Sequence, residues 1–221
     1  MAHLFKNRRN AGELLGVRLA GCEYHDVFVL ALPRGGVPVA YEVAIALDAP
    51  LDVLVVRKLR VPTNAALAIG AIAPGGIRVL TSEIVDGLEI SRNVLETVTS
   101  AERAELERKE HDYRGSRPFP SLAGSTVILV DDGVATGASM IAAARAVRAL
   151  KPASIVAAAA VMSEHARRAI LEVADAVESV VVPAVLFGVG SWYDDFAPTT
   201  DDEVRSLLHT AAARTRVAAH R

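Results

Sequence analysis

The sequence is poor in cysteine and has no long hydrophobic run. Cys22 is the only cysteine among 221 residues, which excludes an intrachain disulfide and a cysteine-rich zinc site. The N-terminal residues are charged and no apolar stretch of the signal-peptide kind follows them. The longest apolar run, at 153–162, is too short to cross a bilayer. We therefore expect a cytoplasmic protein without a membrane partner.

An excess of charge of one sign is also missing. The chain has 24 Lys and Arg against 26 Asp and Glu, a formal net charge of -2. This balance gives no general attraction to nucleic acid, so any phosphate site must be local. A composition that is 52% hydrophobic and 23% charged favours a packed core over disorder. The length suits one sizeable domain, alone or with a small appendage, and we expect a single domain over 1–221.

Short apolar runs alternate with helical patterns along most of the chain. The runs rich in β-branched residues predict buried strands at 27–32, 52–56, 127–130, 155–161 and 177–182. Helical patterns lie between them and include 138–150 and 163–174. Buried strands separated by helices form a parallel sheet that is covered on both faces. The pattern therefore predicts a doubly wound α/β domain.

Two regions interrupt this alternation. The first, about 60–118, contains a predicted β-hairpin (67–72 and 77–80, with a turn at 74–76) followed by charge-rich helical sequence to Tyr113. The second, about 183–200, combines proline, glycine and aromatic residues without a period. Acidic residues after it predict the start of a final helix over 201–213.

The segment 127–139, VILVDDGVATGAS, ends a predicted strand on Asp131 and Asp132. Ligands of parallel sheets bind beyond the carboxyl ends of the strands. Two carboxylates there can accept hydrogen bonds from a vicinal diol or hold a hard cation. The loop that follows can bind a phosphate through its amides and the hydroxyls of Thr136 and Ser139. Ribose 5-phosphate fits this description, while a helix cap with a tight glycine turn is the alternative.

This segment resembles the phosphoribosyl pyrophosphate (PRPP) motif of the type I phosphoribosyltransferases. The resemblance implies that Asp131 and Asp132 are catalytic, bind the ribose hydroxyls, and contact Mg²⁺ directly or through water or ribose. It also implies a mainly parallel sheet with a hairpin and helical insertion and a small C-terminal hood. The implied 5-phosphate site continues through the loop: Gly133, Val134, Ala135, Thr136, Gly137, Ala138 and Ser139.

A second anion site is expected where the first strand ends, at Pro33-Arg34-Gly35-Gly36. Glycines let backbone amides approach an anion, and Arg34 can make bidentate contacts. An ordinary βα turn with a surface arginine is the alternative. The segment resembles the family's pyrophosphate loop, which implies that Arg34, Gly35 and Gly36 bind pyrophosphate. The same resemblance implies a cis peptide bond at Pro33–Arg34 or Arg34–Gly35.

Basic residues end the second predicted strand, at Arg57 and Lys58. Such cations are usually solvated, but the resemblance implies a catalytic, pyrophosphate-binding role for Lys58, with Arg57 as its substitute. It also implies that 60–118 is a mobile loop that closes over the bound donor and excludes water. Most charged side chains of its helix are expected to form i,i+4 pairs.

Aromatic residues are few, yet four of them lie within ten positions of one another in the 183–200 segment. They form either a stacking platform for a flat ring or a small satellite core. The segment occupies the place of the family's hood, which holds the acceptor. The implied acceptor residues are Phe187, Trp192, Tyr193 and Asp194.

The implied reaction transfers ribose 5-phosphate from PRPP to a nitrogenous base in purine or pyrimidine salvage, with Mg²⁺ as cofactor and release of pyrophosphate. Ala135 stands where relatives that act on 6-oxopurines carry an aspartate, so no general base is named. A homodimer is expected because the family is often dimeric. A regulator of the same fold that senses PRPP or nucleotides without turnover is the alternative. A serine hydrolase is disfavoured because no GxSxG motif occurs.

Overall fold

A computed structural model describes residues 4–61 and 64–218. The predicted domain limits, 1 and 221, and positions 62 and 63 of the predicted insertion lie outside these ranges. The strands are β1 (Val27–Ala31), β2 (Leu51–Val53), β3 (Arg57–Val61), β4 (Asn64–Ala73), β5 (Ile77–Leu80), β6 (Thr126–Val134), β7 (Ser154–Met162) and β8 (Ala176–Val181). The helices are α1 (Arg8–Ala20), α2 (Gly36–Ala46), α3 (Ser82–Gly87), α4 (Arg92–Arg114), α5 (Ala138–Arg148), α6 (Glu164–Leu171) and α7 (Asp201–Ala218), with short 3₁₀ turns at Pro74–Gly76 and Val189–Trp192.

A five-stranded sheet in the order β2-β1-β6-β7-β8 forms the centre of the molecule, and its neighbouring strands are parallel. Successive side chains of a strand point to opposite faces, so β6 buries Ile128 against one layer of helices and Leu129 against the other. Helices α1, α2 and α7 cover the first face, and α5 and α6 cover the second. The doubly wound α/β prediction is confirmed.

The boundaries of two strands differ from the predictions. Strand β6 continues through Val134, so Asp131 and Asp132 belong to the strand itself and not to the loop after it. Strand β2 ends at Val53, three residues earlier than predicted. The chain then leaves the parallel sheet, and Arg57 and Lys58 begin β3 of a second sheet. The prediction that these two cations end a strand of the parallel sheet is therefore wrong.

The second sheet is antiparallel, in the order β3-β4-β5. The hairpin of β4 and β5 was predicted, whereas the additional strand β3 was not, because its sequence RKLRV is dominated by cations. Side chains of β3 nonetheless alternate between buried and exposed, as in a regular strand, since Leu59 and Val61 are buried while Arg60 is exposed. The helical sequence that follows divides into α3 and α4, and α4 packs against β3.

Helix α1 lies outside the predicted elements. It packs closely on α2, where a Cβ atom at Gly12 would lie 2.6 Å from the carbonyl oxygen of Val39. Helix α7 extends five residues beyond the predicted end at 213. Within residues 4–61 and 64–218, no helix is both long enough and apolar enough to cross a membrane.

An ion-pair network inside the protein joins the end of α4 to β2. The Arg114 side chain is only 3% exposed, and its Nη2 atom donates to Glu110 at 2.6 Å. Its Nε atom lies 3.3 Å from Asp52, and its guanidinium stacks over Phe119. Burial raises the pKa of Asp52, and the Arg114 charge opposes that shift. The network therefore attaches the insertion helix to the parallel sheet.

We expect Arg114→Ala to lower the free energy of unfolding by about 3–5 kcal/mol, because it leaves a buried carboxylate without its partner. The matched control is Arg148→Ala, which removes an ion pair with Asp175 whose side chains are 44% and 45% exposed. An exposed pair contributes at most about 1 kcal/mol. Urea unfolding of both variants measures the difference, and equal losses would contradict the structural role of Arg114.

Candidate active site

A cleft of about 420 Å³ opens beyond the carboxyl ends of β1 and β6 and below helix α4. It brings together Arg34 from the β1–α2 loop, Asp131 from β6 and Ser139 from the start of α5. These three residues come from sequence segments that were predicted to meet. The remaining lining residues are Leu32, Pro33, Leu54, Val55, Val56, Arg57, Lys109 and Tyr113.

The two adjacent carboxylates face different surroundings. Asp131 lines the cleft, and its Oδ1 accepts a hydrogen bond from the backbone amide of Asp132 at 2.9 Å. Burial and the neighbouring Asp132 charge hold the pKa of Asp131 well above its usual range. The Oδ2 atom of Asp132 instead accepts from Nε of Arg8 at 2.7 Å. Asp131 is thus the carboxylate available to a ligand in the cleft.

The β1–α2 loop lies directly against the acidic end of β6. A Cβ atom at Gly35 would be 2.2 Å from Oδ2 of Asp132, and one at Gly36 would be 2.6 Å from the carbonyl oxygen of Val130. Glycine is therefore required at both positions by this close packing, in addition to any approach to an anion. The peptide bond between Pro33 and Arg34 is cis, at one of the two expected places.

The loop after β6 leads into a helix whose N-cap residue has no side chain. Helix α5 begins at Ala138 after Gly137, which adopts φ 81°, and the Ala138 amide donates to Oγ1 of Thr136 over a long 3.5 Å. Helix α2, which follows the Gly35 loop, also lacks a side-chain cap, whereas side chains cap α1, α4 and α6. Free amides at a helix start bind anions. At α2 the Gly36 and Val37 amides donate to the carbonyl oxygens of Leu32 and Arg34, and Pro38 has no N–H. Of the two predicted anion sites, the start of α5 is therefore the one whose helix terminus suits a phosphate.

Two residues of the insertion helix α4 line the cleft, and the sequence did not single them out as ligands. Tyr113 donates to Oδ1 of Asp201 at 2.5 Å, and Nζ of Lys109 lies 3.1 Å from Oδ2 of the same carboxylate. These hydrogen bonds lower the pKa of Asp201, while burial and the Asp201 contact raise that of Tyr113. Arg57 also faces the cleft, where it pairs with Glu102 at 2.7 Å. Two cations of the cleft, Arg57 and Lys109, are thus each paired with a carboxylate.

Lys58 lies elsewhere. Successive side chains of β3 alternate, so Arg57 faces α4 while Lys58 faces a separate cleft of about 220 Å³ between the second sheet and α5. That cleft also contains Arg145. Burial, with a smaller effect of Arg60, lowers the pKa of Lys58. Arg57, and not Lys58, thus lines the cleft that contains Asp131.

The aromatic residues of the 183–200 segment do not form one platform. Tyr193 is 2% exposed, packs between Phe5 and Phe196, and donates its hydroxyl to the backbone oxygen of Asp132 at 2.6 Å. Trp192 is partly buried in the same cluster. Phe187 is 97% exposed, so its ring is open to a ligand. Tyr193 was expected to contact the acceptor, but Phe5 and Phe196 of the satellite core pack against its ring.

The described residues contain no group of three or more His, Cys, Asp or Glu side chains suited to hold a metal ion. Mg²⁺ in proteins often relies on one or two carboxylates together with phosphate oxygens of a ligand. Asp131 meets that requirement at the cleft, whereas Arg8 already holds Oδ2 of Asp132. The site therefore fits Mg²⁺ that is shared with a phosphorylated ligand.

Comparison with known proteins agrees with this architecture. Residues 3–194 match the sequence model of the phosphoribosyl transferase domain. Two Mycobacterium tuberculosis proteins, from strains CDC 1551 / Oshkosh and ATCC 25618 / H37Rv, are each named "Putative phosphoribosyl transferase" and are 42% identical over 208 residues. That alignment covers 94% of this chain but 47% of each relative, so the chain spans about half their length. The chain belongs to the phosphoribosyltransferase family.

A solved structure has the same fold. The crystal structure of the protein TT1426 from Thermus thermophilus is 40% identical in sequence and superposes with a TM-score of 0.85. The match covers 92% of this chain and 97% of that chain. The parallel sheet with its flanking helices is the type I phosphoribosyltransferase fold, to which the antiparallel sheet of β3, β4 and β5 is added.

We expect Gly35→Ala to weaken PRPP binding by roughly tenfold or more, because the added methyl group would overlap Oδ2 of Asp132 and displace the loop that carries Arg34. Gly87→Ala is the control, since a Cβ atom there meets nothing within 4 Å. Isothermal titration of both variants with PRPP and Mg²⁺ measures the effect. An unchanged affinity in Gly35→Ala would show that the close packing does not shape the site.

Proposed function

We propose that the protein is a Mg²⁺-dependent phosphoribosyltransferase that moves ribose 5-phosphate from PRPP to a nitrogenous base. The observation that supports this most is the convergence of Asp131, Ser139 and Arg34 on one cleft at the carboxyl edge of the parallel sheet. A PRPP donor requires a carboxylate to bind the ribose diol, a loop to bind the 5-phosphate and a cation on a glycine loop to bind the pyrophosphate.

Each end of the donor has a matching surface. The 5-phosphate occupies the start of α5, where Thr136, Ala138 and Ser139 are exposed and the N-cap residue, Gly137, has no side chain. Ser163 supports this loop, because its hydroxyl donates to the carbonyl oxygen of Ala135 at 2.6 Å while it caps α6. The ribose hydroxyls donate to the Asp131 carboxylate.

The pyrophosphate lies against the cations of the cleft, Arg34 and Arg57, with Lys109 on the opposite wall. As the bond from ribose C1 to pyrophosphate breaks, negative charge grows on the leaving oxygen and these cations stabilise it. Positive charge develops on the ribose at the same time, as in glycoside cleavage. Mg²⁺, when bound, would neutralise further charge on the pyrophosphate.

The acceptor binds under the 183–200 segment. Its nucleophilic nitrogen forms the new bond to C1, and the exposed ring of Phe187 is available to stack on a flat base. The neighbouring Asp194 is exposed and can accept hydrogen bonds from ring N–H groups. The binding energy of both substrates then serves to align the reacting atoms.

Titration calorimetry with PRPP and Mg²⁺, followed by assays of pyrophosphate release with a panel of purine and pyrimidine bases, tests the proposal. We expect binding of PRPP and release with at least one base. Absence of PRPP binding would contradict the proposal. Binding without release for any base would favour a regulator that senses PRPP.

Paired variants make the same experiment specific to the cleft. Arg34→Ala removes a cation from the cleft. It is expected to weaken PRPP binding by roughly tenfold or more, because a charge-assisted hydrogen bond contributes about that much affinity. Lys58→Ala removes the same charge from the other cleft and is expected to change the affinity by less than about threefold. Equal losses of PRPP affinity in the two variants would instead support a role for Lys58 in binding pyrophosphate.

A further inference from the structure

Arg8, the first residue of α1, is enclosed between β6 and the 183–200 segment. Its Nε atom donates to Oδ2 of Asp132 at 2.7 Å, and Nη1 donates to the carbonyl oxygen of Ala197 at 2.6 Å. The guanidinium carbon lies 3.8 Å from the centre of the Phe196 ring. The side chain is 12% exposed. Arginine can make these three contacts at once because its planar fork donates in several directions and stacks on aromatic rings.

The backbone before Arg8 is attached to the same segment. The Phe5 amide donates to the Trp192 carbonyl at 3.0 Å, and the Asp194 amide donates to the Phe5 carbonyl at 2.8 Å. The Phe5 side chain is fully buried, with its ring 5.1 Å from that of Tyr193. The position of Arg8 is therefore tied to the hood as well as to its own helix.

Asp132 links this assembly to the donor cleft. Its Oδ2 atom, held by Arg8, is also the atom that a Cβ at Gly35 would meet at 2.2 Å. Gly35 follows Arg34, which lines the cleft. Contacts thus run from the β1–α2 loop through Asp132 and Arg8 to Phe196 and Ala197. A shift of that loop toward β6 would therefore displace the Asp132 carboxylate or Arg8.

We propose that Arg8 is a positioning residue that couples occupancy of the donor cleft to the position of the hood. The inference rests on the proposed function, since the donor is taken to be PRPP. Donor binding fixes the β1–α2 loop against Asp132. Because Arg8 contacts Asp132 as well as Phe196 and Ala197, the fixed position of Asp132 also fixes these two residues of the hood. The hood is then in position to bind the acceptor. Arg8 itself touches neither substrate. The acceptor is expected to bind more tightly when the donor is already bound.

Trp192 offers a direct readout, because it is the only tryptophan in the chain and belongs to the hood. Its fluorescence is recorded while PRPP is titrated in the presence of Mg²⁺, and PRPP affinity is measured separately by calorimetry. In the unmodified protein, PRPP is expected to change the Trp192 emission. In Arg8→Gln, we expect the emission change to fall by more than half, while the PRPP dissociation constant rises no more than roughly tenfold.

Two further variants separate coupling from charge and stability. Arg8→Lys keeps the charge but cannot contact Asp132, Ala197 and the ring together, so it is expected to remain impaired. Arg9→Gln is the matched control, because Arg9 is the next residue on α1, is 71% exposed and pairs with Glu42. It is expected to keep the full emission change. If Arg8→Gln does not fold, Phe196→Leu removes the ring contact to Arg8 but keeps the Arg8 hydrogen bonds to Asp132 and Ala197, and should reduce the emission change. Because the same ring packs on Tyr193, the emission of this variant without PRPP serves as its own baseline.

The outcomes distinguish this inference from the proposed function. If PRPP does not bind the unmodified protein, the proposed function fails. If PRPP binds without changing Trp192 emission, or if Arg8→Gln retains the full change, the function stands and the coupling is refuted. Tighter PRPP binding by Arg8→Gln would also overturn the inference, because it would show that Arg8 competes with the ribose for Asp132.

Discussion

Two adjacent carboxylates at the end of a buried strand need different partners, and the site depends on this constraint. In β6, Asp131 lines the cleft, whereas Asp132 pairs with the first residue of α1. Burial, together with the like charge of the adjacent Asp132, is why the pKa of Asp131 is raised. The Arg8 guanidinium compensates the charge of Asp132, and the Asp131 carboxylate stays available to a ligand.

The same constraint explains why distant parts of the chain meet here. Gly35 and Gly36 are small because the loop that carries Arg34 rests on the acidic end of β6. Gly133 is small because the hood packs on it, with a Cβ position 2.3 Å from a methyl group of Val189. Helix α4 closes the opposite wall through Lys109 and Tyr113, both held by Asp201 at the start of α7.

The parallel sheet and the two glycine-containing loops at its carboxyl edge could be predicted because their signals are local: β-branched runs, glycines and hydroxyls in short loops. What the sequence did not reveal depends on contacts between distant residues. Arg8 and Asp132 are 124 positions apart, and nothing near Arg8 marks its partner. The prediction that Arg57 and Lys58 end a strand of the parallel sheet was wrong because the chain leaves that sheet after Val53, without a turn signal such as proline or glycine. The aromatic segment left two interpretations open, and the structure divides its rings between a satellite core and the exposed Phe187.

The central claim is that Asp131 binds the ligand, whereas Asp132 stabilises the structure through its ion pair with Arg8. Comparing Asp131→Asn with Asp132→Asn tests it most directly, when PRPP affinity and the free energy of unfolding are measured for both. The account predicts that Asp131→Asn loses most of the PRPP affinity with no loss of stability, since it removes a buried like charge. Asp132→Asn should lower stability because the enclosed Arg8 loses its partner. Equal losses of affinity with unchanged stability in both variants would contradict the division of roles.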